Sequence, residues 1–269
     1  MFIESKREGL PQAFLTIRDY ETTGLPSAMP ELVYSSGDSD TYFRVAELAW
    51  SERLNLSLLM EKLKIIVNEG IGNGTVKQWI NEIAELRKLG IILESAYMLF
   101  DDSHFCHPEI YDLMRLFGRL RDGIDKKNKR KRKSLRVYQH LETHLSFFQH
   151  RLVFNPSSAE GYSNFYHKLL SEVKAYLSQD SLSLIDYHRL RKRIRRLMNA
   201  FQLAAVARPE KIEVVGIFQY LHSLDKNMGN YHDELLAEHG KDERGSLRVT
   251  IDEVIKRRIQ SFLDLQDHQ

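Results

Sequence analysis

Apolar side chains recur every three to four residues along most of this chain, and the runs are separated by short breaks rich in Gly, Pro, Ser and Asp. From Trp50 onward the period predicts helices over about 50–69, 76–100, 108–122, 134–153, 160–178, 184–206, 211–238 and 250–266. The breaks at Ile71-Gly72-Asn73-Gly74-Thr75 and Asn155-Pro156-Ser157-Ser158 are clear, and the helical pattern resumes after each. No Val/Ile/Thr alternation of period two is long enough to predict a sheet. Before Trp50 the pattern is poor. Pro11, Pro26, Pro30 and the run Ser35-Ser36-Gly37-Asp38-Ser39-Asp40 read as an irregular arm holding at most one short helix.

The eight predicted helices fall into two sets of four that resemble each other. Ser134-Leu135-Arg136-Val137 recurs as Ser246-Leu247-Arg248-Val249, and Phe117-Gly118-Arg119-Leu120-Arg121-Asp122 is echoed by Met228-Gly229-Asn230-Tyr231-His232-Asp233. Leu86-Arg87-Lys88-Leu89 is echoed by Ile194-Arg195-Arg196-Leu197. All three matches share a shift of about 108–112 residues and keep the same order. The expected fold is therefore all-α, two pseudo-symmetric four-helix bundle repeats. An N-terminal arm over 1–49 precedes a domain over 50–269, with repeats at about 50–155 and 156–269.

One helix carries the candidate chemistry. At 100° per residue, Arg191, Lys192, Arg195 and Asn199 fall within about 60° of His188, with Arg196 just beyond. Leu190, Ile194, Leu197 and Phe201 lie on the opposite side. No carboxylate occurs from Tyr187 to Phe201, so the helix itself does not neutralise the repulsion between its cations. An external polyanion would relieve that repulsion, and so would acidic side chains from a neighbouring helix. Replacing Arg191 and Arg195 by Ala is expected to leave folding untouched, because the apolar face is unchanged.

Charge supports placing an anion site in the second half. Residues 1–125 hold 13 Lys+Arg against 20 Asp+Glu, a net of −7; the rest hold 39 − 13 = 26 against 37 − 20 = 17, a net of +9. A single cysteine, Cys106, excludes intramolecular disulfides and fits a reducing, cytoplasmic compartment. Neither a signal peptide nor a membrane span is legible. The run Lys126-Lys127-Asn128-Lys129-Arg130-Lys131-Arg132-Lys133 reads as a solvated loop that adds non-specific attraction to phosphates, nucleic acid included. His140 and His144 at i,i+4, with His150 beyond, and the group His104, Cys106, His107 have metal-ligand chemistry but no complete ligand set. No metal site, cofactor or catalytic residue is assigned. Phosphate loops, dinucleotide fingerprints and nucleophile elbows are absent.

The pattern His188-x-x-Arg191-x-x-x-Arg195-Arg196-Leu197, followed by Leu221-x-x-Leu224-x-x-x-Met228-Gly229-x-x-x-Asp233, resembles the CHAD family, the conserved histidine α-helical domains. The resemblance covers roughly Trp50 to Leu265 and is stronger in the second half. It implies two pseudo-symmetric four-helix bundles and a non-catalytic role in binding inorganic polyphosphate through a basic surface. It further implies that His188, Arg191, Arg195 and Arg196 contact the anion, with Lys192 on the same face. The sequence departs from the family where Met198 replaces an Arg and Asn199 a Tyr. In the first repeat, Ile80 and Ile83 stand where His188 and Arg191 would, and only Arg87 and Lys88 keep a basic character. The expected partner is inorganic polyphosphate, bound in the cytoplasm or at polyphosphate granules. The rival expectation is a helical protein-interaction scaffold whose anion site has decayed.

Overall fold

The computed structural model describes residues 9–16, 25–27, 29–54, 61, 75–125, 153–239 and 247–267. Among them the helices are α1 (Leu10–Thr16), α2 (Ser36–Arg53), α3 (Thr75–Phe100), α4 (Pro108–Asp125), α5 (Ala159–Leu177), α6 (Leu184–Ala207), α7 (Ile212–His239) and α8 (Glu253–Asp267). Two strands of two residues each, β1 (Leu182–Ser183) and β2 (Arg248–Val249), pair antiparallel, Leu182 opposite Val249. Among the described residues the fold is all-α apart from this ribbon and an isolated bridge between Asp101 and Pro156. Its chain divides into two compact units, residues 1–11 with 43–156, and residues 12–42 with 157–269.

In the first unit α3 packs on α4, burying Ile83, Leu86, Leu89, Leu93, Tyr97 and Phe117. The helices meet at Gly90, where an added Cβ would lie 2.9 Å from Trp50 Cζ3 and would also strike the Met114 thioether. Asp101 ties off the end of α3 by accepting the amide of Asn155 at 2.9 Å. In the second unit α5 packs on α6, α6 on α7, α7 on α8, and α8 back on α5. The α6–α7 contact is the most extensive. Its apolar centre holds Tyr187, Leu190, Ile194, Leu197, Phe201, Ile217, Phe218, Leu221 and Leu224.

Three local expectations are corrected. The Ser/Gly/Asp run read as irregular opens α2, which overlaps the expected 50–69 helix only at residues 50–53; the rest of that expected helix beyond Leu54, apart from position 61, and nearly all of the expected 134–153 helix lie outside the described residues. Its Asp38 accepts the amides of Tyr34 at 2.9 Å and Ser35 at 3.0 Å, one half of a capping box. Burial raises the Asp38 carboxyl, but the Tyr34 amide, the Arg208 guanidinium and the Ser35 amide outweigh it and hold the pKa below normal. No sheet is expected, yet Arg248–Val249 is strand, and the helix expected from about 250 waits for Asp252, whose Oδ1 accepts the amides of Val254 and Ile255. The N-terminal stretch is also more than an arm. In the second unit Phe14 is fully buried, Gln202 Nε2 donates to its carbonyl at 3.0 Å, and Arg208 pairs with Asp38 while lying over the Tyr42 ring.

Candidate anion site on two helices of the second unit

The site begins at a capped helix terminus. Ser183 Oγ accepts the Asp186 amide at 3.0 Å and donates to its carboxylate at 2.7 Å, which starts α6. Asp186 also pairs with Arg189 at 2.9 Å. Over the next turns Leu184, Tyr187, Leu190 and Ile194 enter the core, while His188, Arg191, Lys192, Arg195 and Arg196 stay at least partly exposed. From Leu197 to Ala205 every residue is buried. Asn199, placed on the basic face by the 100° rule, is thus a core residue, and the polar face is confined to the first half of α6.

The second helix answers that face with one carboxylate. Asp225 of α7 accepts from Arg191 Nε at 3.0 Å through Oδ1. From Arg195 it accepts Nη2 at 3.1 and 3.0 Å on its two oxygens, and Nε at 3.3 Å on Oδ2. All three side chains are largely enclosed, 12% exposed for Asp225, 19% for Arg191 and 27% for Arg195. The cationic face is therefore partly neutralised from a neighbouring helix, one of the two ways of relieving its repulsion that the sequence left open. Arg193 is likewise paired, with Glu172 of α5. Sequence reasoning missed Asp225. A signal existed: Asp225 lies between Leu224 and Met228 in the apolar stripe of α7, where a carboxylate requires a cation.

The forks are not exhausted. Arg191 donates to Asp225 only through Nε, and Arg195 keeps Nη1; among the described residues no acceptor takes these terminal nitrogens. His188 lies one turn before them, its ring 5.3 Å from that of His232 on α7. Its buried Nδ1 has no hydrogen-bonding partner among the described residues. Burial, and then Lys192, His232, Arg191 and Arg195, push its pKa down to about 4, so it is neutral at pH 7. His232 stacks on Tyr187 and stands 3.3 Å from Asp233, whose own side chain is 79% exposed. Tyr187 closes the floor by donating to the Met228 carbonyl at 3.4 Å.

The remaining candidates separate. Arg87 and Lys88 belong to the first unit, where Arg87 lies against Gly118 of α4 and Lys88 is exposed. Ile83, the residue in place of an Arg, is buried. The basic run 126–133 and His140, His144 and His150 lie outside the described residues. His104 Nδ1 faces the Met98 carbonyl, His107 faces Glu109, and Cys106 is buried, so these three do not converge. Among the described residues no cluster of three His, Cys, Asp or Glu could hold a metal. No described helix is long and apolar enough to cross a membrane. No protein-family model, curated protein or solved structure matches this chain.

Proposed function

We propose that the chain is a non-catalytic binder of inorganic polyphosphate, or of a polyanion like it, through the first half of α6. The observation that carries this reading is the set of guanidinium nitrogens for which Asp225 leaves no acceptor among the described residues, beside His188. Phosphate oxygens accept such forks bidentately, and a chain of phosphates can engage successive turns of one helix. Neutral His188 can donate a hydrogen bond to the anion or take up a proton as the anion arrives. The CHAD-like resemblance supplies the same assignment for His188, Arg191, Arg195 and Arg196. Its two-repeat architecture is part of the proposal; the aligned glycines Gly118 and Gly229 each face an Arg of the preceding helix, but Arg87 aligns with Arg195 and the Arg facing Gly229 is Arg191, one turn earlier. A cytoplasmic location, at polyphosphate granules, follows from the same reading.

The scaffold reading draws on a different observation. Asp225 gives Arg191 and Arg195 a structural task that needs no ligand. Titration of the full chain with long-chain polyphosphate, and with single-stranded nucleic acid of equal charge, separates the two. Polyphosphate is expected to bind more tightly, and both to weaken steeply with salt. Absence of polyphosphate binding at low salt leaves the scaffold; preference for one nucleotide sequence moves the protein to nucleic-acid recognition.

A further inference from the structure

Gly229 is a glycine that backbone conformation does not require. It lies within the regular helix α7, and the only positive-φ glycine among the described residues is Gly9. What surrounds it does require it. A Cβ at Gly229 would sit 2.8 Å from Arg191 Cζ and within contact of both terminal nitrogens. One turn earlier on the same face of α7, Asp225 holds Arg191 Nε at 3.0 Å. Arg191 is thus seated between a carboxylate that grips its inner edge and a bare stretch of helix backbone that admits its outer edge.

From this we infer that Gly229 and Asp225 form a cradle that positions Arg191, its terminal nitrogens lying over the bare backbone at Gly229, for anion binding. The inference rests on the reading of α6 as a polyanion site. Gly229 is then a positioning residue whose role is space alone. A second glycine on α7 sharpens the contrast: a Cβ at Gly216 would meet nothing within 4 Å. The first unit holds a looser version, with a Cβ at Gly118 lying 3.3 Å from Arg87 Nε. Because the atoms opposing Gly229 are the far end of a flexible side chain, Gly229→Ala should displace Arg191 and leave α7 in place. Gly229→Ala changes no charge, so any effect it has on anion binding is geometric.

The test uses the full chain as Gly229→Ala, Gly216→Ala, Arg191→Ala and the Gly229→Ala/Arg191→Ala double variant. Thermal melting reports the fold, exchange of the Arg191 Nε–H by NMR without ligand reports the cradle, and titration with long-chain polyphosphate reports binding. Gly229→Ala is expected to melt near wild type, to lose protection of the Arg191 Nε–H, and to bind about tenfold more weakly, the worth of one charge-assisted fork. Gly216→Ala should do none of these. In the Arg191→Ala background Gly229→Ala should have no further effect, since both act on one side chain. Retained Nε–H protection in Gly229→Ala overturns the cradle, as does a Gly229→Ala protein that fails to fold, which would place the strain in the helix pair. Lost protection with unchanged polyphosphate affinity overturns the positioning role while the polyphosphate reading stands. If wild type does not bind polyphosphate, that reading and the positioning role fail together, and the exchange result alone decides whether the cradle exists.

Discussion

Asp225 changes what its two arginine partners mean. On sequence alone, Arg191 and Arg195 are surface cations that could be removed without cost to folding. Packed against a carboxylate 12% exposed, they are part of the α6–α7 contact. Removing either side leaves enclosed charge unpaired, although partial solvent access reduces the penalty from that of a fully buried pair. Asp225→Ala is expected to lower stability by about 2 kcal/mol in urea denaturation, and Arg191→Ala/Arg195→Ala should lower it comparably. A loss below about 0.5 kcal/mol in both would return the arginines to the status of surface charges. His188 gives a pH dependence of defined sign. Its folded pKa of about 4 lies below the ordinary 6.5, so between these values the unfolded chain takes up a proton that the folded one refuses. Stability is full above pH 6.5 and is lost as pH falls toward 4. His188→Gln should flatten that decline, and bound polyphosphate should oppose it by stabilising the imidazolium. An unchanged pH profile in His188→Gln would show that another group governs it.

At the scale of elements, helices start where side chains answer exposed amides. Ser183 and Asp186 at α6, Asp252 at α8 and Ser35 with Asp38 at α2 all do this. A Ser/Gly/Asp cluster therefore has two readings, irregular loop or helix start. The buried residues that follow, Tyr42, Phe43, Val45, Ala46 and Ala49, decide for the second. Helix contact sets its own demands. Gly90→Ala in α3 places a methyl against Trp50 and Met114 in a closed core, where neighbours have little room to move. A destabilisation of about 1–3 kcal/mol is expected despite the better helix propensity of Ala. A gain in melting temperature would mean that Met114 repacks freely.

For the whole molecule, the consequential finding is that sequence-distant segments complete the second unit. Gln202 donates to the carbonyl of Phe14, 188 residues away, and the Phe14 side chain is fully enclosed. Phe14→Ala should therefore cost about 3 kcal/mol, as deletion of a buried aromatic ring does. An arm without packing would lose almost nothing, so chemical denaturation of this one variant separates the two descriptions. The electrostatic asymmetry of the chain acts on the same scale: with a −7 half and a +9 half, any attraction to anions belongs mostly to the second half and would be weakened by the first.

Much of this was legible in local pattern. Periodicity alone located α3, α4, α5, α6 and α7 to within a few residues, because an apolar stripe repeating at 3.6 is itself the condition for helix packing. The cationic face of α6 was equally visible, since residues on one helix face are neighbours whatever the rest of the chain does. Tertiary structure alone decided which of those cations remain available. Asp225 reaches Arg191 and Arg195 across 34 and 30 residues, Asn199 disappears into the core, and Gly229 makes room for a guanidinium. These outcomes depend on which helix faces which. No local period carries that information, because burial and ion pairing are set by the neighbour that packing brings, and not by the segment that receives it.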